Sequence, residues 1–187
     1  MRNDLKTNMR LYELDLENLN QETRDLFREL INNYGQPFIW DISERSTVFS
    51  NNDDLDSFLI KDFGDRYLIY SIYYKSYIIG IVGLTHINKD FTQGELIIGI
   101  RRSYRLRHDF LVWWTDFLKT IKKKGIITIY GRIKKENVYV INLSKKFGFI
   151  RTLEHFHTSI STLETYNIKR DSSLNSKELY FLQHKSR

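Results

Sequence analysis

At 187 residues, 41% of them hydrophobic and 14% aromatic, the chain is long enough to bury a core without staples and too apolar to stay disordered. It contains no cysteine, which excludes disulfides, thiolate metal sites and a cysteine nucleophile. A formal charge of +6 favours anionic partners, whether nucleic acid, an acidic surface or a phosphorylated cofactor, and is equally the charge of an ordinary solvated surface.

The charges of Met1 to Asn8 are followed by no apolar segment, and no apolar run approaches the roughly 18 residues a membrane span needs, so a soluble, cytoplasmic protein without a membrane partner is expected. No repeat and no linker rich in proline, glycine or serine divides the chain, and a single domain over 1–187 follows.

The first strand is expected over Leu11 to Leu16. Asn20 then caps a helix from Gln21 to about Tyr34, with Leu26, Phe27, Leu30 and Ile31 on one face and Gly35 at its end. Residues 36–54 are polar and irregular, an expected acceptor-side wall, and Leu55 to Phe63 reads as a short second helix. From Arg66 to Leu84 β-branched and aromatic residues form a hairpin that turns at Lys75 and Ser76. After the polar loop Asn88 to Gly94, Glu95 to Arg101 is the next strand.

Phe110, Trp113, Trp114, Phe117, Leu118 and Ile121 recur at helical spacing. Asp109 stands ahead as N-cap, the lysines 122–124 suit the C-terminal dipole, and Gly125 stops the helix. Ile126 to Ile133 alternates as a strand. Asn137 opens a last helix through Phe147, closed by Gly148. Phe149 to Thr162 and Glu178 to Lys185 are the expected final strands, joined by a long polar connection over 163–177. The predicted fold is mixed α/β of the α+β type: a mostly antiparallel sheet of about six to seven strands flanked by about four helices.

Asn137 to Ile150, NVYVINLSKKFGFI, resembles the second signature of the GNAT N-acetyltransferase superfamily, with Asn137, Ile141, Leu143, Lys146, Gly148 and Phe149 matching. The strand GELIIGI, the loop RRSYRLRHD and the amphipathic helix after it are similar to that family's acetyl-CoA strand, pyrophosphate loop and helix. The resemblance covers about residues 66–160 as the cofactor-binding core, with 1–65 on the acceptor side. It implies an acyl-CoA-dependent N-acyltransferase that uses acetyl-CoA or another acyl-CoA to acylate an amine of a protein, a small molecule or a nucleobase. Two alternatives stand beside it: a catalytically degenerate GNAT fold kept as a structural or binding part, and a GNAT-like protein that binds nucleic acid or modifies its bases.

The phosphate loop departs from the family pattern. With Arg105 in its first position, the glycine positions hold His108 and Phe110. Arg101, Arg102, Arg105 and Arg107 crowd the loop, so side-chain charge is the substitute for backbone cradling. The implied cofactor residues are Ile100, Arg101, Arg102, Arg105, Arg107, His108 and Asn137. Among catalytic candidates, Glu95 at the head of the cofactor strand and His86 at the end of the hairpin are possible bases. Ser144 stands where the family commonly has the tyrosine that protonates the departing thiolate. His155 and His157 share a strand face, but no third ligand stands at a telling spacing, so no metal is expected.

Overall fold

The computed structural model describes residues 9–33, 49, 51–63, 65–104, 110–135, 137–152 and 165–171. Strands β1 (Met9–Glu13), β2 (Leu68–Tyr74), β3 (Tyr77–Thr85), β4 (Gln93–Ile100), β5 (Thr128–Lys134), β6 (Ile150–Arg151) and β7 (Thr165–Asp171) form one sheet in the order β1-β2-β3-β4-β5-β7-β6. Every neighbouring pair is antiparallel except β4 and β5. Helices α1 (Gln21–Arg28) and α2 (Asn52–Phe63) precede the hairpin. The other two, α3 (Phe110–Lys123) and α4 (Val138–Lys146), follow β4 and β5.

Strand alternation sends side chains to two cores. Leu96, Ile98 and Ile100 of β4 join Trp113, Trp114 and Phe117 of α3 and Val140 and Ile141 of α4. Ile97 of β4 instead joins Leu26 and Phe27 of α1 and Leu55, Leu59 and Phe63 of α2. Each helical pair thus covers one face of the sheet. The register of β2 on β3 steps from Ile72↔Gly80 to Tyr73↔Ile78, which leaves Ile79 as a bulge. Gly80 beside it is required by close approach, since a Cβ there would stand 2.4 Å from the Gly99 carbonyl oxygen.

Three expected boundaries move. The first strand ends at Glu13 because the Asp15 carboxylate accepts from the Glu17 amide and the Asn18 side chain, folding Leu16–Asn18 into a 3-10 turn that buries Leu16. Asn20 does cap α1, accepting from the Thr23 amide at 2.8 Å, but the α-helix stops at Arg28 and continues as a wider π turn over Glu29–Asn33. Asn51 accepts from the Asp54 amide and starts α2 at Asn52, ahead of Leu55.

A larger correction concerns the C-terminal part. The expected connection over 163–177 contains β7, paired along its whole length with β5. Of the strand expected over Phe149 to Thr162, β6 occupies Ile150–Arg151, and 153–162 lies outside the described residues, as does the strand expected over Glu178 to Lys185.

Candidate active site

The parallel ladder between β4 and β5 has three rungs among the described residues: Gln93↔Thr128, Gly94↔Ile129 and Glu95↔Tyr130. Beyond Glu95, β4 remains paired with β3 as far as Ile100, and β5 remains paired with β7 as far as Lys134. The two strands therefore part at Glu95 and Tyr130, and their facing backbone edges open a V whose apex is that rung. Amides and carbonyls along those edges are hydrogen-bonding groups that a strand neighbour would otherwise satisfy.

Side chains converge at the apex. Glu95 shares the sheet face of Ile97, the α1 and α2 side, and is only 5% exposed. Its Oε1 accepts from Arg132 Nε at 2.6 Å and its Oε2 from Arg132 Nη2 at 3.1 Å. Arg132 stands two residues beyond the last rung, so this fork reaches back across the opening and pins the apex. The geometry is the bidentate one a guanidinium makes best. Tyr130 is buried beside them. Burial, and then the Glu95 carboxylate, push its hydroxyl well above the ordinary range against a smaller opposing pull from Arg132.

His86 completes the cluster. Its Nδ1 lies 3.2 Å from Thr85 Oγ1 and 3.6 Å from Glu95 Oε2, and its side chain is about one-third exposed, against 6% for that of Glu95. The backbone amide of His86 donates to the Phe63 carbonyl at the end of α2, and the residue is held at a φ of 49°, in the left-handed region.

The predicted site residues divide. Glu95 and His86 meet at the apex. Ser144 lies in α4 on the opposite face of the sheet, buried, its hydroxyl donating to the Ile141 carbonyl at 2.9 Å. Asn137 caps α4 by accepting from the Val140 amide. Ile100 ends β4 in the core under α3. Arg101 turns to the other face: its Nε donates to Glu29 at 2.8 Å and its Nη1 to the Ile78 carbonyl at 2.8 Å, tying β4 and β3 to the end of α1.

Arg102 contributes backbone to a 3-10 turn over Arg102–Tyr104. Arg105, Arg107, His108 and the expected cap Asp109 lie outside the described residues, as do His155 and His157. Among the described residues no group of acidic or histidine side chains could hold a metal, and no helix is long and apolar enough to cross a membrane. Sequence reasoning missed Arg132 and Tyr130. Both stand on the polar phase of an alternating strand, and only the register of β5 on β4 brings them to Glu95.

No protein-family model matches the sequence, and no curated protein matches it. Solved structures do. The spermidine N-acetyltransferase of Vibrio cholerae in complex with CoA and spermine is 17% identical, covers 89% of this chain and 96% of its own, and superposes with a TM-score of 0.67. The dodecameric form of the Vibrio cholerae spermidine N-acetyltransferase, in an intermediate state, gives a TM-score of 0.63 at 17% identity over 89% of this chain and 95% of its own. The N-acetyltransferase PseH of Campylobacter jejuni, 15% identical over 88% of this chain and 99% of its own, gives 0.56. With the strand order, the parted parallel pair and the Asn137-capped helix already in place, these neighbours show that the chain has the GNAT N-acetyltransferase fold.

Proposed function

We propose that the protein is an N-acyltransferase that moves an acetyl or related acyl group from a CoA thioester to an amine. The observation that carries this reading is the parting of β4 and β5 after the Glu95↔Tyr130 rung. Five residues of β4, Leu96 to Ile100, face the opening, a length of about 16 Å. A pantetheine arm is an apolar chain interrupted by two amides, which lose free energy on burial unless they find backbone partners. On this reading the arm would run along the parted edges with its end toward the apex cluster.

The pyrophosphate of the same cofactor would then lie toward the start of α3, where unpaired amides and the helix dipole favour an anion. Arg102, Arg105, Arg107 and His108 are the residues of that loop proposed to add charge, and Asn137 the residue that orders α4 beside it. Similarity to an enzyme solved with CoA and spermine supports the cofactor and an amine acceptor. It leaves open which amine this chain accepts.

The test is direct. Millimolar acetyl-CoA raises the melting temperature, because a ligand bound only by the native state at a hundred times its Kd adds about 2.7 kcal/mol. Release of the CoA thiol is then followed against polyamines, amino sugars and peptide N-termini, and turnover of one class is the expected result. A melting temperature unmoved by acetyl-CoA would defeat the reading. A second reading, a GNAT fold that binds without catalysing, is favoured by the engagement of both Glu95 oxygens with Arg132. It is distinguished by acetyl-CoA binding with no thiol release for any amine.

A further inference from the structure

We propose that the cleft beneath the start of α1 is a second ligand site, separate from the apex between β4 and β5, and that it takes a protonated amine on a short apolar stem.

The cleft has a volume of 550 Å³ and lies between the 3-10 turn Leu16–Asn18, the first turn of α1 and the β1 to β2 pair. Tyr12 of β1 and Ser71 and Tyr73 of β2 line it from the sheet face of Ile69, the face that α1 and α2 cover. Ser71 stands two strands from β4 and level with Gly99, four residues past Glu95. That puts it roughly 16 Å from the apex on the same face.

Hydrogen bonds already made inside the cleft fix its polarity. Ser71 Oγ donates to the Tyr12 carbonyl and the Tyr73 hydroxyl donates to Glu22, so each oxygen offers a ligand only lone pairs. Asp15 accepts from the Glu17 amide and the Asn18 side chain, and a carboxylate has further lone pairs to give. Thr23, 1% exposed, adds a hydroxyl with no hydrogen-bond partner among the described residues. A ligand seated among these groups has to bring donors. An ammonium has three and no acceptor.

Charge points the same way. Lys75 also lines the cleft, but its Nζ sits over the Tyr74 ring, 5.8 Å from the centroid, toward the opposite face of the sheet. The Glu13 carboxylate is taken up by Lys124 and Tyr70. Asp15, and Glu22 at the Tyr73 hydroxyl, remain as anions beside the Tyr12 and Tyr73 rings, which meet edge to face at 5.2 Å. Carboxylates and ring faces both attract a cation, and Leu14 and Leu19 supply apolar wall for its stem. The wider field agrees: residues 1–65 carry 14 acidic and 7 basic side chains, the rest of the chain 9 and 22.

A free alkylamine and a lysine side chain share this chemistry. The experiment titrates n-butylammonium chloride, neutral n-butanol and Nα-acetyl-lysine methylamide separately into the full chain and follows backbone amide chemical shifts. Wild-type protein is expected to show saturable shifts over Tyr12–Asp15, at Ser71, at Tyr73 and at Thr23 with n-butylammonium, and none with n-butanol. Saturation by the free amine alone supports the site and makes its ligand a small molecule. Equal or tighter saturation by the lysine derivative supports it and makes the ligand a protein side chain. Asp15→Asn, whose amide oxygen can still accept from the Glu17 amide, is expected to weaken binding about threefold to fivefold, and Tyr12→Leu by about the same factor. Absence of saturable shifts at the cleft, shifts confined to Gly94, Glu95 and Tyr130, equal shifts with n-butanol, or binding unchanged in both variants overturns the proposal. No step of the titration requires acetyl-CoA, so failure here and failure of acyl transfer are separate outcomes.

Discussion

Arg132 shows how one side chain can hold both a fold and a site. Removing it as Arg132→Met leaves the buried Glu95 carboxylate without its guanidinium, and loss of one partner of such a pair costs about 3 kcal/mol. The drop is read from the urea midpoint, and adding Glu95→Gln in the same chain should recover part of it. An unchanged midpoint in Arg132→Met would mean the fork is not the apex clamp. Two tyrosines give a pH signature. Burial, helped by Glu13, raises Tyr70 to about 12, and Tyr130 is raised further by burial and Glu95. The folded chain therefore keeps protons that an unfolded tyrosine releases near pH 10. This stabilisation is fully present below about pH 10 and is lost as pH rises toward the folded values. Urea midpoints should fall between pH 9 and pH 11, and less so in Tyr70→Phe. At this scale Glu95 and His86 were legible as polar groups at strand ends. Arg132 was not, because a residue's partner across a parallel ladder depends on register, which composition does not encode.

Elements were read best where capping and periodicity agree. Asn20 and Asn137 each accept a hydrogen bond from the amide three residues on, and both stood out in the sequence as helix starts. Asn20→Ala and Asn137→Ala should each cost about 1 kcal/mol in chemical denaturation. A loss below a few tenths of that at Asn137 would show that the 3.3 Å bond to Val140 does not stabilise α4. Strand β7 was illegible for a physical reason. Its inward phase carries Ile168 and then Arg170, a guanidinium 4% exposed whose Nε and Nη1 have no hydrogen-bond partner among the described residues and which burial pushes below its ordinary pKa. An apolar residue there would have completed the alternation. With arginine, the segment TYNIKRD reads as a polar connection. The shifted end of β1 has a similar origin, since the Asp15 side chain diverts the chain into a turn while Leu14 and Leu16 continue the apolar pattern.

For the molecule as a whole, the order of elements read along the sequence and the expected, mostly antiparallel sheet of about six to seven strands agree with the seven-stranded sheet, although the last strand lies earlier in the chain than expected. The opening between β4 and β5 could not be read in the same way, because GELIIGI and TIYGRIK look like continuous strands whether they pair along their length or part midway. That opening is also where the functional reading stands or fails. Hydrogen exchange followed by mass spectrometry on peptides covering Gln93–Ile100 and Thr128–Lys134, with and without saturating acetyl-CoA, addresses it directly. If the cofactor's amides pair with the parted edges, the amides beyond the Glu95↔Tyr130 rung gain protection while those of the β1 to β2 ladder stay unchanged. Exchange at both peptides unaltered by saturating acetyl-CoA would contradict the account.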